Sequence, residues 1–129
     1  MRIGISAPYD RSEATIAAIR LADLAMELSL SANIISNRPV EQGVHPFWDR
    51  YVRGHKGDNI YRWASKCDHF VWFSVNNRYV KMAKLVSPRA SHVMVPLWHH
   101  ARREDFDDLE QFDLVVCPSV QLRDFLVEH

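Results

Sequence analysis

Glycine is scarce in this sequence, which has four among its 129 residues. None lies in APYDRSEAT (residues 7–15), the turn that follows the first apolar run. A dinucleotide site needs G-x-G-x-x-G in that turn because the backbone must approach the pyrophosphate closely, and a P-loop needs G-x-x-x-x-G-K-[ST]. Neither motif is present, and neither is the G-x-S-x-G turn of serine hydrolases. We therefore predict no NAD, no FAD and no other cofactor.

Cysteine is also rare. The two cysteines, Cys67 and Cys117, are far apart and neither belongs to a C-x-x-C pair, so the sequence indicates neither a disulfide framework nor a zinc knuckle. Both lie among apolar residues, where cysteine behaves as a small hydrophobic residue. The adjacent His99 and His100 do not alter this expectation, because a zinc site generally needs three or four ligands. We predict no bound metal.

Neither sign of charge dominates, since sixteen basic residues balance sixteen acidic ones. The chain as a whole lacks the positive field of a nonspecific nucleic-acid binder, so we do not expect nucleic acid as a general partner, although the sequence leaves a local patch open. No apolar run reaches the roughly 18 residues of a membrane helix. The N-terminus begins as a short apolar strand rather than as a signal peptide. We expect a cytoplasmic protein without a membrane span.

Short apolar segments alternate with helical patterns along the chain. The clearest helix spans residues 14–28, and others are predicted near residues 59–67, 78–87 and 104–112 and after Ser119, with residues 37–58 forming a loop with one helical turn. The predicted strands are RIGISAP (2–8), ANIIS (32–36), HFVWFSV (69–75), HVMVPL (92–97) and DLVVC (113–117). Continuous apolar strands of this kind are buried on both faces, which predicts one α/β domain over residues 1–129, a three-layer sandwich with a mostly parallel sheet.

In open parallel sheets, ligands bind at the carboxyl ends of the strands, where the strand order changes. The polar residues predicted at that edge are Tyr9, Asp10, Asn76, His99, His100 and Ser119. Several of these also have a structural explanation. Asp10, spaced like a capping box with Glu13, and Ser119 are both suited to begin helices. Asn76 suits a turn, and a histidine pair can end a strand. The residues alone leave these alternatives open.

Three segments, MRIGISAPYDRSEATIAAIRLADLAMEL, VPLWHH and FDLVVCPSVQLRDFL, follow one another along the chain. Together they resemble the N-terminal, acceptor-side half of a retaining, family 4-like glycosyltransferase of the GT-B type, which consists of two Rossmann-like halves. The resemblance implies a Rossmann-like sheet, and it gives His99 the place of the histidine that acts near the reacting centre, so His99 is the predicted catalytic residue. The predicted substrate-binding residues are Tyr9, Asp10 and Ser119, which lie in the segments that carry the resemblance, together with Asn76, whose amide can hydrogen-bond a sugar hydroxyl, and His100.

The chain departs from that family in two ways. Its first loop, residues 8–15, lacks the glycine pair that lets the family's backbone approach the sugar nucleotide. The second Rossmann-like half, which holds the nucleotide and the donor sugar, does not fit within 129 residues. The resemblance therefore implies a half domain that is inactive alone, and that either binds a sugar ligand or is completed by a second chain carrying the nucleotide-sugar-binding half.

A different function is suggested by HPFWDRYVRGHKGDNIYRW (45–63), which interleaves aromatic and basic residues. Aromatic rings stack on bases or sugars, and cations bind phosphates. The alternative hypothesis is a non-enzymatic interaction module that binds a protein or nucleic acid through this segment, with Trp48, Arg50 and Arg53 as contacts. The competing interpretation places Trp63 and some of the other aromatic residues in the core, with the arginines as a solvated rim.

Overall fold

The computed structural model describes residues 1–36, 38–54, 59–73, 77–96 and 109–117. The strands are β1 (Arg2–Ala7), β2 (Ser31–Ser36), β3 (Arg53–Gly54), β4 (His69–Trp72), β5 (Ser91–Met94) and β6 (Leu114–Val115). The α-helices are α1 (Glu13–Glu27), α2 (Asn59–Ser65) and α3 (Asn77–Val86), and short 3-10 turns lie at Trp48–Arg50 and Leu109–Gln111. None of the helices in these ranges has the length and apolar character needed to cross a membrane.

The strands belong to one parallel sheet in the order β3-β2-β1-β4-β5-β6. β1 is central: Arg2–Ala7 pairs with Ser31–Ser36 on one side, and residues 3–6 pair with His69–Trp72 on the other. This is the strand order of doubly wound Rossmann sheets, in which the chain winds outward from the centre in both directions. The predicted Rossmann-like α/β fold with a mostly parallel sheet is confirmed.

Helices cover both faces of the sheet. Successive residues of a strand point to opposite sides, so each face of the sheet carries side chains that pack against helices. On one face, Ala18 of α1 shares a buried cluster with Ile5 of β1. On the other face, Trp63 of α2 and Val80 of α3 share a second cluster with Phe70 of β4. These two clusters are the cores of a three-layer sandwich, with α1 on one side of the sheet and α2 and α3 on the other.

Gly4, in the central strand, lies where no side chain fits. A Cβ atom there would be 2.7 Å from Cys67 Sγ and 3.0 Å from ring atoms of both Phe70 and Trp63. The Trp63 indole lies close to the strand at this point, and its Nε1 donates to the Asn33 carbonyl at 3.0 Å. The missing side chain of Gly4 therefore allows α2 to approach the centre of the sheet.

Cys67 packs as a small hydrophobic residue, as predicted. It is buried and free, and its thiol donates to the Trp63 carbonyl at 3.1 Å. Burial raises the pKa of the thiol to about 12, so Cys67 is a neutral core residue at pH 7. Cys117 is also free and is half-buried. Within the described ranges, no group of three or more His, Cys, Asp or Glu side chains could hold a metal ion.

Two predicted elements differ from those observed. The sequence predicts a loop over residues 37–58, but Arg53–Gly54 forms β3 and pairs with Ile35 and Ser36. Two residues with no apolar side chain carry no strand pattern, so this strand is formed through backbone pairing at the edge of the sheet. The predicted helix over residues 104–112 lies largely outside the described residues, and its described end is the 3-10 turn Leu109–Gln111. The predicted closing helix after Ser119 lies outside them entirely.

Candidate functional site

The carboxyl edge of the sheet between β1 and β4 is the candidate functional site. The strand order reverses here, because β1 continues into α1 on one face whereas β4 is followed by α3 on the other. The two strand ends are adjacent, and Phe73 donates its backbone N–H to the Ser6 carbonyl at 2.9 Å. Loops that leave neighbouring strands toward opposite faces create a crevice, which is where open α/β sheets bind ligands.

The loop after β1 is folded around Asp10. The Asp10 Oδ1 atom accepts the backbone N–H of Ser12 at 2.8 Å and lies 3.0 Å from the Thr15 hydroxyl. Thr15 Oγ1 in turn accepts the backbone N–H of Asp10 at 3.0 Å and donates to the Pro8 carbonyl at 2.6 Å. Of the two alternatives for Asp10, the interpretation as the N-cap of α1 is wrong, because the N-cap is Ser12, whose side chain makes no cap hydrogen bond. The Asp10 carboxylate instead closes a turn onto the residue two positions later.

Tyr9 is buried, with 1% of its surface exposed. Its hydroxyl donates to Asp49 Oδ1 at 2.6 Å, and its backbone N–H donates to Ser36 Oγ at 3.2 Å. Burial, together with the hydrogen bond and charge of Asp49, raises the pKa of the phenol. The same hydrogen bond, with the backbone N–H groups of His45 and Gly43, lowers the pKa of the Asp49 carboxyl. Tyr9 therefore links the end of β1 to the 38–52 loop, and its contact with a substrate stays a prediction.

The 38–52 loop carries the predicted partner-binding residues. Trp48 is 3% exposed, and its indole Nε1 donates to Asp23 Oδ1 of α1 at 2.9 Å. Trp48 is thus a core residue, in agreement with the interpretation that some aromatic residues of this segment are buried. Arg50 and Arg53 are exposed, and Arg53 Nη1 donates to the Arg50 carbonyl at 2.8 Å. Partner binding by these arginines stays a prediction.

The predicted catalytic residue His99 lies outside the described residues, as do Asn76, His100 and Ser119. The strands that lead to them are described. The backbone N–H of residue 95 donates to the carbonyl of residue 72, and that of residue 116 donates to the carbonyl of residue 94, each at 2.8–2.9 Å. Pairing between β4, β5 and β6 therefore continues toward the carboxyl edge, after which these four residues follow in sequence. Their roles stay predictions.

β5 contains a buried histidine, His92, that the sequence pattern does not separate from its apolar neighbours. Its ring stacks on Phe70 with centroids 4.9 Å apart, and its Nδ1 accepts the Trp72 indole N–H at 3.1 Å. Burial, together with the positive charge of Lys84, lowers the pKa of His92 to about 4. The ring is therefore neutral at pH 7, with its proton on Nε2. The sequence signal that could have identified His92 is a titratable residue inside an otherwise apolar predicted strand.

Comparison with known proteins gives no match to a protein-family model or to a curated protein. Among solved structures, an alpha-glucosyltransferase in complex with UDP and a 13-mer DNA containing a HMU base is similar over 91% of this chain, with a TM-score of 0.63 and 14% identity. An alpha-glucosyltransferase with UDP and a 13-mer DNA containing a central A:G mismatch has a TM-score of 0.64 and 12% identity over 93% of this chain. The TrkA-N domain of inner membrane protein ybaL from Escherichia coli has a TM-score of 0.57 and 11% identity over 98%.

The fold is Rossmann-like, and it is similar to part of the two alpha-glucosyltransferase structures. At these identities the similarity describes the fold alone. The chain spans 37% of the length of each glucosyltransferase chain, a share that fits a half domain of such an enzyme. It spans 93% of the TrkA-N domain chain.

Proposed function

We propose that this chain is the acceptor-side half of a family 4-like GT-B glycosyltransferase, inactive alone, which binds a sugar-containing ligand at the carboxyl edge between β1 and β4. The observation that carries the proposal is the reversal of strand order at this edge, in a sheet similar to 37% of an alpha-glucosyltransferase chain. A GT-B cleft lies between two Rossmann-like halves. This chain would supply one side of the cleft, and a second chain carrying a nucleotide-sugar-binding domain would supply the other.

The proposed catalytic residue is His99, which follows β5 in the sequence. A neutral imidazole can both donate and accept a hydrogen bond, which suits contact with a sugar hydroxyl near the reacting centre. The residues proposed to bind the ligand are Asn76, His100, Ser119, Asp10 and Tyr9. Asp10 and Tyr9 lie in or beside the loop whose shape is fixed by hydrogen bonds to Thr15 and Asp49, so their contribution includes holding that side of the crevice in place.

A titration followed by NMR tests ligand binding at this edge. UDP-glucose and a guanosine diphosphate sugar are added to the full chain, because UDP is the nucleotide in the similar glucosyltransferase structures. We expect amide shifts concentrated around residues 9–12 and 99–100. The amides of Asp68 and Ser91, at the opposite edge of the sheet, serve as internal references and should not move. The absence of shifts at millimolar ligand would contradict the binding of a sugar-containing ligand at this edge by the chain alone.

Two variants sharpen that experiment. His99→Ala should abolish or weaken the shifts, whereas His69→Ala, at the amino end of β4 where the ring contacts Ser91, should leave them unchanged. Equal effects of the two substitutions would contradict the role of His99. The need for a second half is tested by incubating the chain alone with UDP-glucose and a panel of acceptors. No release of UDP is expected, and turnover by the chain alone would contradict the half-domain proposal.

A second candidate function, the non-enzymatic interaction module, is favoured by the exposed part of the 45–63 segment. Phe47, Arg50, Tyr51 and Arg53 are exposed in the structure. Since Trp48 is buried, its replacement would test stability rather than binding, and the paired variant Arg50→Ala with Arg53→Ala is the informative one. Loss of a captured partner in this variant would support the module, and unchanged capture would exclude these arginines from the contact.

A further inference from the structure

Three adjoining cavities form a groove along the outer edge of β2. Their volumes are about 450, 290 and 200 Å³, and Asn33 lines all three. The groove exists because β3 pairs only with Ile35 and Ser36, so that within the described ranges the rest of β2 has no strand neighbour on that side. It extends toward the amino end of the sheet, where Arg2 and Ser31 pair. We call it the β2 groove, and it is separate from the crevice between β1 and β4.

The charge of the β2 groove is of one sign. Its charged lining residues are Arg2, Arg53, Arg62 and Lys66, and no carboxylate lines the groove in the part of the chain that the structure describes. The salt bridge found among the described residues joins Arg11 to Glu41 and uses none of these four cations. Because the whole chain has a net charge of zero, these four cations form a local cluster on a concave surface, where positive charge is focused. Two carboxylates lie just outside the lining: Asp68 accepts the Arg2 backbone N–H, and Asp23 accepts the Trp48 indole N–H.

Two exposed aromatic rings line the groove, and one of them, Tyr51, shares the 200 Å³ cavity with Arg53, Arg62 and Lys66. Phe47 is 42% exposed and Tyr51 is 58% exposed, and both line the 290 Å³ cavity. Their ring centroids are 5.0 Å apart, and Phe47 also packs edge-on against buried Trp48 at 5.0 Å. Trp48 is itself held by its hydrogen bond to Asp23. Phe47 and Tyr51 are thus held by packing against each other and Trp48. This packing limits the conformational entropy lost when a ligand stacks on the two rings.

We propose that the β2 groove binds single-stranded nucleic acid, with phosphates at Arg53, Arg62, Lys66 and Arg2 and with bases stacked on Phe47 and Tyr51. A cationic groove flanked by aromatic rings is the chemistry that recognises an unpaired strand, since the backbone supplies negative charge and every base supplies a stacking face. Duplex bases are already stacked on one another and cannot reach such rings. This binding is independent of the proposed glycosyltransferase-like function. It rests on the second candidate function, the interaction module of residues 45–63, and names single-stranded nucleic acid as its partner.

An acidic peptide added to the edge of β2 fits the groove less well. Such a peptide gains its affinity from backbone hydrogen bonds to an exposed strand edge. The unpaired edge is only the four residues 31–34, and the Asn33 carbonyl already accepts the Trp63 indole N–H. Tyr51 lines the cavities on both sides of this edge, where the added strand would have to lie. The observations therefore favour base stacking over strand addition.

Fluorescence anisotropy of the full chain with a labelled oligothymidylate of about twelve nucleotides, a length within the range that such grooves cover, tests the proposal. We expect binding that weakens with salt, with a slope of log affinity against log salt of about −3 for contacts from four cations. Tyr51→Ala should weaken binding by about fivefold or more, because it removes one stacking ring. Its matched control, Tyr61→Ala, removes a 49% exposed tyrosine that lines none of the three cavities and should leave the affinity unchanged.

Charge reversal provides the second comparison. Arg62→Glu with Lys66→Glu should reduce the affinity by about tenfold or more, because it removes two cations and adds two repelling charges. Arg20→Glu with Lys81→Glu makes the same change in net charge at exposed positions outside the groove and should have an effect of about twofold or less, given the salt screening of distant charges. Circular dichroism confirms that each variant is folded.

Several outcomes would overturn the proposal. These are no binding of the oligonucleotide at low salt, equal loss in the groove and control variants, equal affinity for a duplex, or tighter binding of an oligoglutamate of matched charge, which would assign the groove to an acidic protein segment. The groove variants should also leave the NMR shifts with UDP-glucose unchanged, so failure of nucleic-acid binding and failure of sugar-nucleotide binding are observed separately.

Discussion

The Tyr9 hydroxyl and the Asp49 carboxylate, forty positions apart in sequence, are joined by a hydrogen bond of 2.6 Å. Tyr9 follows the central strand, and Asp49 lies in the 38–52 loop, where it also accepts the backbone N–H groups of Gly43 and His45. One carboxylate therefore organises the loop and attaches it to the carboxyl edge of the sheet. The candidate crevice and the β2 groove both depend on this loop, since it follows β2 and carries Phe47 and Tyr51.

Removal of the Tyr9 hydroxyl should destabilise the protein without changing its fold. Tyr9→Phe keeps the buried ring but leaves Asp49 without its side-chain donor, so we expect a loss of about 1 kcal/mol in the free energy of unfolding. Urea denaturation measures it. Tyr61→Phe, which removes a hydroxyl from a half-exposed ring, is the matched control and should be neutral. Equal stability of the two variants would contradict the importance of the Tyr9 hydrogen bond.

The effect of Tyr9→Phe should depend on pH. In the folded state the pKa of Asp49 is lowered from its ordinary 3.8, so its stabilising contribution is fully present above about pH 3.8 and is lost as the pH falls through the folded-state pKa. The difference in unfolding free energy between the natural chain and Tyr9→Phe should therefore narrow below about pH 3.8. Urea titrations at several acidic pH values test this, and a difference that stays constant would rule out ionised Asp49 as the acceptor.

A side chain at position 4 should disturb the central strand. In Gly4→Ala the new Cβ would lie 2.7 Å from Cys67 Sγ, and we expect a loss of about 1–3 kcal/mol in the free energy of unfolding because the core is already closely packed. Gly54→Ala is the matched control: its Cβ would meet nothing nearer than a Val40 atom at 3.9 Å.

The double variant Gly4→Ala with Cys67→Ala tests the cause, because removal of Sγ makes space for the new methyl group. We expect the double variant to lose less unfolding free energy than the sum of the losses in the two single variants. Strict additivity in this cycle would mean that the contact with Cys67 does not explain the defect.

His92 should remain neutral well below the pH at which an ordinary histidine titrates. Its pKa is about 4 in the folded state, against 6.5 for the unperturbed group. Protonation therefore favours the unfolded state, so the contribution of neutral His92 is present above about pH 6.5 and is lost as the pH falls toward about 4. NMR of the ring protons of His92 measures this directly. Titration near pH 6.5 would contradict the buried, Trp72-bonded position of the ring.

The strands that could be predicted from the sequence are those buried on both faces, in which nearly every residue is apolar. Residues 69–72 and 91–94 are strands within continuous apolar runs, because a strand covered on both faces tolerates few polar side chains. The same pattern hides His92, whose burial becomes evident only from its stacking on Phe70 and its hydrogen bond to Trp72. β3 has no such pattern, since its two residues are a strand only through pairing with β2.

The start of α1 shows why local signals alone do not decide local geometry. Both Asp10 and Ser12 are suited to be N-cap residues. The carboxylate of Asp10 instead bonds to the Ser12 N–H and contacts the Thr15 hydroxyl, which places the N-cap at Ser12. The position of the N-cap therefore depends on the path of the chain as it leaves β1. The residue pattern alone does not specify that path.

The sequence by itself determined the alternation of apolar strands and helices, the burial of both sheet faces and hence the parallel α/β class, because hydrophobic burial acts on each segment through its own residues. Only the tertiary structure decided the strand order, the link between Tyr9 and Asp49, and the assembly of Arg2, Phe47, Arg53, Arg62 and Lys66 along one groove. These relations join residues that are distant in the chain, and they arise from backbone pairing and side-chain packing that no single segment encodes.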